Sequence, residues 1–461
     1  MTDLLPLLAT AVVALAIVVG VVATVARRPV AGAVLVFGAL ALVGVWVYPP
    51  TPVYAPPAIL VGLLVCLGLA PRFSWRMTGG DALVHVVFAL VLLSFLGGTS
   101  TTLVLGELVL GAYPAYMVGR MLADRIGLVR VAEVLACMWV LAAVLGLIEA
   151  VTGFNPFTAV HFSNRLYQVW AVSQERAGMA RIEGAFGHSI AFATSMAAGI
   201  PFVAVTRWPS WLRCLCMVLL LGVTLPSLSR TGMLCALLAL VLSMTLLRTD
   251  IARRWRVGTL VGIGALGTAG LSRLLDVFSR AGQEQSGSAE YRNTILILVR
   301  HLRFLGTSPV AENRSGTTSW AGFGSIDNEV LLAALRFGWA PVLILLAGLG
   351  VVAVRVVMRR GNAAQVSLTA LAPAYVTVAF ITQLGTVVWI ILGIAVSAQA
   401  AATADGPQGD EGGEATSEET GVQSEELRAA RAMAALGAPT ASRPPTASRP
   451  PTASRPPTAS R

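Results

Sequence analysis

The stretch LSRLLDVFSRAGQEQSGSAEYRNTILILVRHLRFLGTSPVAENRSGTTSWAGFGSIDNE, Leu271–Glu329, is the longest polar interval between the apolar runs of this chain. It holds Arg273, Arg280, Arg292, Arg300, Arg303 and Arg314 beside Asp327, Asn328 and Glu329. Apolar segments flank it on both sides, so its reading decides the fold: it is a long loop lying between membrane helices, with its ionisable groups in water.

Working outward, the composition supports that reading. The 461 residues are 56% hydrophobic and only 12% charged, with a mean hydropathy of +0.76, whereas about 25% of residues are charged in an ordinary globular protein. Repeated apolar runs near the roughly 20 residues that span hydrocarbon account for most of the length. A β-barrel would show alternating segments of about 10 residues, and the sequence has none. The expected fold class is all-α, a polytopic membrane helix bundle of about 12–13 transmembrane helices.

The net charge of +10 comes from arginine alone, because the chain has no lysine. Inside loops of a membrane protein supply such an excess, so no nucleic-acid partner is implied, while an anionic substrate is accommodated. Cys66, Cys137, Cys214, Cys216 and Cys235 lie in or beside apolar runs and read as small hydrophobes. Cys214 and Cys216 lack partner ligands, so no zinc or other metal site and no cofactor is expected. The first run has no preceding Arg and no Ala-x-Ala site, and Arg27 and Arg28 follow it, so it reads as a retained helix.

Apolar runs predict helices at Leu4–Ala26, Val30–Val47, Ala58–Ala70, Ala82–Leu96, Leu103–Val118 and Val131–Val151. A second group follows at Ser189–Thr206, Leu212–Leu225, Thr231–Leu247, Val257–Leu271 and Val330–Val354. Val366–Ala400 is too long for one span and breaks at Gln383-Leu384-Gly385, which predicts a tight hairpin of two helices. Arginines mark alternate loops, at Arg27/Arg28, Arg72/Arg76, Arg120–Arg130, Arg207/Arg213, Arg248–Arg256 and Arg355–Arg360, and these read as cytoplasmic. The N-terminus is then outside and the tail inside. The domains are a membrane domain over 1–400, with outer loops 152–187 and 272–328, and a tail over 401–461. The tail runs through Gly, Glu and Asp into Pro-Thr-Ala-Ser-Arg-Pro repeats from Pro439, a composition that reads as a disordered cytoplasmic extension.

The two outer loops break the charge bias. Arg165, Arg176 and Arg181 occupy the first, and Arg230 lies in the short outer turn Leu225-Pro-Ser-Leu-Ser-Arg-Thr-Gly232. Long loops translocate largely regardless of charge, which leaves a bland explanation for the first set but not for Arg230. Inside the large loop, Ala289–Leu305 reads as a helix behind a Ser288 cap. At about 100° per residue it puts Arg292, Arg300 and Arg303 within one arc of roughly 80°. Such a helix lies along the headgroup boundary, and a partner-free interfacial helix has the same pattern.

Several familiar motifs are absent or misplaced. Gly262-Ile-Gly-Ala-Leu-Gly267 matches GxGxxG but lies in an apolar helix with no preceding strand. There is no GxSxG, HExxH or Walker pattern, and the four histidines do not cluster in sequence. Four outer pieces remain: Arg181-Ile-Glu-Gly-Ala-Phe-Gly-His188; Ser227-Leu-Ser-Arg230-Thr-Gly232; Glu290-Tyr-Arg292 through His301 to Leu305-Gly-Thr-Ser-Pro309; and Ser325-Ile-Asp327-Asn328-Glu329 opening a helix.

Their order and spacing resembles the O-antigen ligase and O-antigen polymerase family of bacterial polysaccharide membrane proteins. The resemblance runs from about Arg181 to Gly350 and rests on an Arg-x-x-Gly-x-Phe segment, a Ser-Arg-x-Gly turn, a loop arginine before a Pro-Gly-rich stretch, and a polar pair opening the next helix. It implies glycosyl transfer at the outer face of the cytoplasmic membrane. The implied donor is an undecaprenyl-pyrophosphate-linked saccharide and the acceptor a hydroxyl on a glycan, lipid or protein, with membrane lipids as surroundings. Guanidinium groups suit a pyrophosphate leaving group because they offer fixed paired donors and keep their charge, so no metal is required. Arg181, Arg230 and Arg292 are the candidates for holding it, with Arg300 and Arg303 in reserve.

Where many ligases have His-Asn, this chain has Asp327-Asn328, so the usual base is missing and a polymerase is preferred over a ligase. Asp327 is either the base or the N-cap of the following helix. Glu183 and Glu329 are further base candidates, Asn328 belongs to the substrate site, and His188 and His301 are either structural or in the site. An alternative function is a lipid-linked saccharide flippase or other polysaccharide transporter. That reading calls for intramembrane charges and repeat symmetry, and mainly Glu107, Glu133 and Glu149 lie near the apolar runs, with no evident symmetry. A noncatalytic scaffold is a third.

Overall fold

Apolar segments satisfy their backbone hydrogen bonds internally, and the described residues are accordingly mostly helical. The computed structural model describes residues 4–48, 56–176, 178–280, 290–291, 293–314 and 317–404. The predicted tail and its repeats, from residue 405 onward, lie outside the described residues, as does Arg292. Four helices are long and apolar enough to cross a membrane by length and composition: Ala9–Arg27, Gly79–Leu96, Thr102–Thr152 and Trp339–Val357. Shorter apolar helices occur at Pro29–Leu42, Pro57–Arg72, Ser189–Ala204, Ser210–Gly222, Arg230–Thr245 and Leu384–Ala400. Val12, Leu15, Leu93, Val351 and Val354 are exposed on the outside of this bundle, an apolar surface that water does not tolerate but lipid does.

Local sequence explains where helices begin and break. Thr78 and Asp81 form a reciprocal capping box ahead of Gly79–Leu96, and Asn362 and Gln365 form another ahead of Ala363–Ala370. Gly127, at φ 77°, interrupts Tyr113–Thr152 where the sequence predicts the loop between two helices. The predicted helix Val330–Val354 is instead two, Glu329–Phe337 and Trp339–Val357, divided at Gly338. That glycine has φ 92°, and a Cβ there would lie 2.6 Å from the Phe304 carbonyl oxygen. The long final run is helical over Ala363–Ala370 and Ala372–Thr377, opens over 378–383, and resumes as Leu384–Ala404.

Two expectations for the large loop need correction. The helix predicted to end at Leu271 continues from Arg253 to Arg280, so Arg273 and Arg280 belong to it. The helix predicted over Ala289–Leu305 instead tightens into a 3-10 turn, Leu296–His301, and stops. Arg303 therefore lies beyond it and shares no helical arc with Arg300. The cause is tertiary: the Arg303 and Phe304 carbonyls accept from the Trp339 and Ala340 amides, and Thr307 N donates to Thr99 O, which holds this stretch out of a helix.

The long Tyr113–Thr152 unit is the centre of the core, packed by Pro29–Leu42, Pro57–Leu69, Ser189–Ala204 and Leu384–Ala404. Its closest crossing is with Leu384–Ala404, where a Cβ on Gly119 would lie 1.9 Å from Ile390 O and one on Gly393 would lie 2.1 Å from Tyr116 O. Nearby, Asp81 accepts from Tyr116 Oη and Arg120 Nε, both nearly inaccessible.

Several arginines of the arginine-marked loops bond to neighbouring segments. Arg72 donates to Ala26 O, Arg125 to Arg72 O, Arg120 to Arg76 O, Arg213 to Asp250 and Arg359 to Thr245 O. Among the other loops, Asn164 donates to Trp46 O, Gln383 to Val43 O, and Thr231 and Thr377 share a hydrogen bond of 3.0 Å. Two short antiparallel hairpins pair Glu175–Arg176 with Met179–Ala180 and Ala311–Arg314 with Thr317–Trp320.

Candidate active site

The turn 224–230 is the foundation of the site. Thr224 O accepts from Ser227 Oγ, Ser227 Oγ accepts from Ser229 N, and Leu228 takes a left-handed φ of 52°. Such a conformation in a branched residue costs on the order of 1–3 kcal/mol and persists only where its surroundings impose it. Ser229 then caps Arg230–Thr245, its Oγ accepting from Gly232 N at 3.2 Å. Gly232 faces Ala193 so closely that a Cβ would lie 2.3 Å from the alanine methyl. The Ser-Arg-x-Gly pattern thus contains a cap and a close helix contact, and Arg230 occupies the first helical position between them.

The loop ahead of Ser189–Ala204 lies along this turn. Ile182 N donates to Pro226 O, Arg181 Nε donates to Ser227 O at 2.9 Å, and Arg176 Nη1 donates to Leu228 O at 3.1 Å. Arg181 and Arg230, far apart in sequence, are therefore brought to one turn, both half-buried, and Arg176 joins them. Gln174 ties the group together: its Oε1 accepts from Ser189 Oγ and from Arg181 Nη1, and its carbonyl from Arg181 N. Gly184 and Gly187 have φ of 54° and 65°, and Phe186 is fully buried, so the remaining members of Arg-x-x-Gly-x-Phe shape the loop.

Glu183 points inward. Its Oε1 accepts from Gln174 N, and burial, with the neighbouring Glu149 charge, pushes its carboxyl up to about 7 against the pull of the Gln174 amide and Arg181. Glu149 supports the same loop from below, accepting from Glu183 N, Gly184 N and Asn155 Nδ2. His188 caps Ser189–Ala204 through Nδ1, which accepts from Ile190 N, and Trp170 packs edge-on to its ring. Burial and the Arg181 charge hold this imidazole down to about 4, so it is neutral at pH 7 and lends no charge to an anion.

The fourth piece is tied to the Arg230 helix through the break 378–383. Asn328 is the N-cap, its Oδ1 accepting from Leu331 N at 2.9 Å, so capping falls to Asn328 and not to Asp327. Asp327 accepts from Ser325 Oγ, on the side where Tyr291 Oη donates to Ser325 O. Glu329 faces the other way: its Oε2 accepts from Phe380 N at 2.7 Å, three residues from the Thr377 that bonds Thr231. Ile295, Leu298, Trp320, Ile326, Leu331, Leu332 and Leu335 form a separate small core that binds the loop to this helix.

Arg292 lies outside the described residues. Arg300 and His301 are exposed at the end of the 3-10 turn, where Ser308 Oγ donates to the His301 carbonyl, and Arg303 is exposed beyond it. None of these three has a described contact with the Arg230 turn. Among the described residues, no group of three His, Cys, Asp or Glu side chains is placed to hold a metal ion. No protein-family model matches the chain, and no curated protein is significantly similar to it.

Proposed function

We propose that this chain is a polytopic glycosyltransferase of the bacterial cytoplasmic membrane, with about 12–13 spans and its active site at the outer face. It uses an undecaprenyl-pyrophosphate-linked saccharide as donor and polymerises the glycan, or ligates it to a glycan, lipid or protein hydroxyl. The resemblance to O-antigen ligases and polymerases supports this reading, with polymerase preferred. The observation that carries it is the arrival of Arg181 and Arg230 at one turn.

Two helices, Ser189–Ala204 and Arg230–Thr245, begin side by side at that turn, so their positive ends and the guanidinium groups favour the same anion. As the bond from anomeric carbon to pyrophosphate lengthens, negative charge accumulates on the leaving oxygens. Fixed cationic donors lower the barrier by meeting that charge without reorganisation. The carboxylates flanking Asn328 supply a proton acceptor.

Arg181→Ala and Arg230→Ala should each abolish surface glycan assembly in the host while the protein still reaches the membrane. Normal glycan in both variants, judged by gel profile beside a membrane immunoblot, refutes the assignment. Loss of the protein from the membrane would show that the arginines serve folding instead.

A further inference from the structure

Glycosyl transfer to a hydroxyl needs a group to take its proton, and two carboxylates, Asp327 and Glu329, flank the capping Asn328. Asn328 ends the extended segment and Glu329 opens the helix, and the two carboxylates have different partners. Asp327 is held by Ser325 and shares that side with Tyr291. Glu329 faces the break 378–383, which is bonded to the Arg230 helix through Thr377 and Thr231. The Ala372–Thr377 helix packs on both Arg230–Thr245 and Glu329–Phe337, so it sets Glu329 and Arg230 across a single short element. We propose that Glu329, and not Asp327, is the proton acceptor of the transfer; this rests on the glycosyl-transfer reading above.

The Glu329 carboxylate is half-buried and its Oε2 takes the Phe380 amide, while Oε1 takes no hydrogen bond among the described residues. Oε1 is therefore the oxygen available to an incoming hydroxyl. The acceptor oxygen bonds to the anomeric carbon, the carbon–oxygen bond to pyrophosphate breaks with its electron pair leaving on pyrophosphate, and the hydroxyl proton passes to Glu329 Oε1. Burial pushes this carboxyl up to about 7, opposed by the Phe380 amide and Arg336 and reinforced by Glu107, so the ionised base forms near neutral pH. The ionisable groups around it are Asp327 on the same segment, Arg336 paired with Glu107 at 3.2 Å, Tyr375 on Ala372–Thr377, and Arg230 on the helix packed there.

The test uses right-side-out membrane vesicles from the host, carrying its own lipid-linked saccharide, with glycan elongation followed from pH 5.5 to 8.5. Glu329→Gln keeps an acceptor for the Phe380 amide and should slow elongation by about 10²–10⁴-fold. The purified variant in nanodiscs should still bind undecaprenyl pyrophosphate as the wild type does. The wild-type rate should fall as pH drops through about 7, and Asp327→Asn should retain that acid limb. The proposal is overturned if Glu329→Gln elongates at the wild-type rate, if the acid limb disappears in Asp327→Asn, or if Glu329→Gln no longer binds undecaprenyl pyrophosphate and so proves structural. Wild-type vesicles that elongate nothing refute the glycosyl-transfer reading itself, and with it this assignment.

Discussion

Glu149 and Glu183 hold the arginine-bearing loop from beneath, and their chemistry makes that loop sensitive to pH. Glu183 is 3% exposed and its carboxyl is raised from an ordinary 4.5 to about 7, chiefly by burial. A carboxyl raised in the folded state is favoured there in its neutral form. Its contribution to stability is full below 4.5 and is lost as pH rises through about 7. The loop should therefore be tightest in acid. Hydrogen exchange at the Arg181 and Ile182 amides, corrected for intrinsic rate, should lose protection between pH 5 and 8, and Glu183→Gln should flatten the change; equal protection at both ends of the range would refute it. Arg181 and Arg230 are legible in sequence because their motifs are local. The role of Glu149 is not, because its partners Glu183 and Gly184 lie in a distant loop.

At the scale of elements, the crossing of Tyr113–Thr152 with Leu384–Ala404 is set by backbone meeting backbone. Gly119 and Gly393 each face a carbonyl oxygen of the other helix at a distance that leaves no room for a methyl group. Small residues at such a crossing let helices gain packing contacts that lipid cannot supply. Gly393→Val should separate the helices and destabilise the fold by about 1–3 kcal/mol or more, read as a lowered thermal midpoint in detergent; an unchanged midpoint would mean the helices do not approach this closely. Helix positions were legible from apolar runs, and Thr78, Asn362 and Ser229 start their helices as capping residues do. The break at Gly338 lies inside a run that reads as one helix despite Arg336 and Pro341 beside it, because the segment that demands it, Phe304–Leu305, is remote in sequence.

Across the whole molecule, the arginine-marked loops predict which side faces the cytoplasm, with the Arg181 and Arg230 loops outside. In a cysteine-free background, a membrane-impermeant thiol reagent applied to intact cells should label Val172→Cys and spare Arg254→Cys, both exposed positions. The reverse pattern would invert the proposed orientation. What the sequence alone determined was an apolar, mostly helical chain and the approximate positions of its helices, because hydrophobicity and capping act over a few residues. Tertiary structure decided which polar groups meet. It set Glu329 against the Phe380 amide and cut short the helix expected to carry Arg303, because both outcomes depend on a hydrogen bond to a segment tens of residues away, whereas Asp327 and the capping Asn328 are held by neighbours two and three residues off.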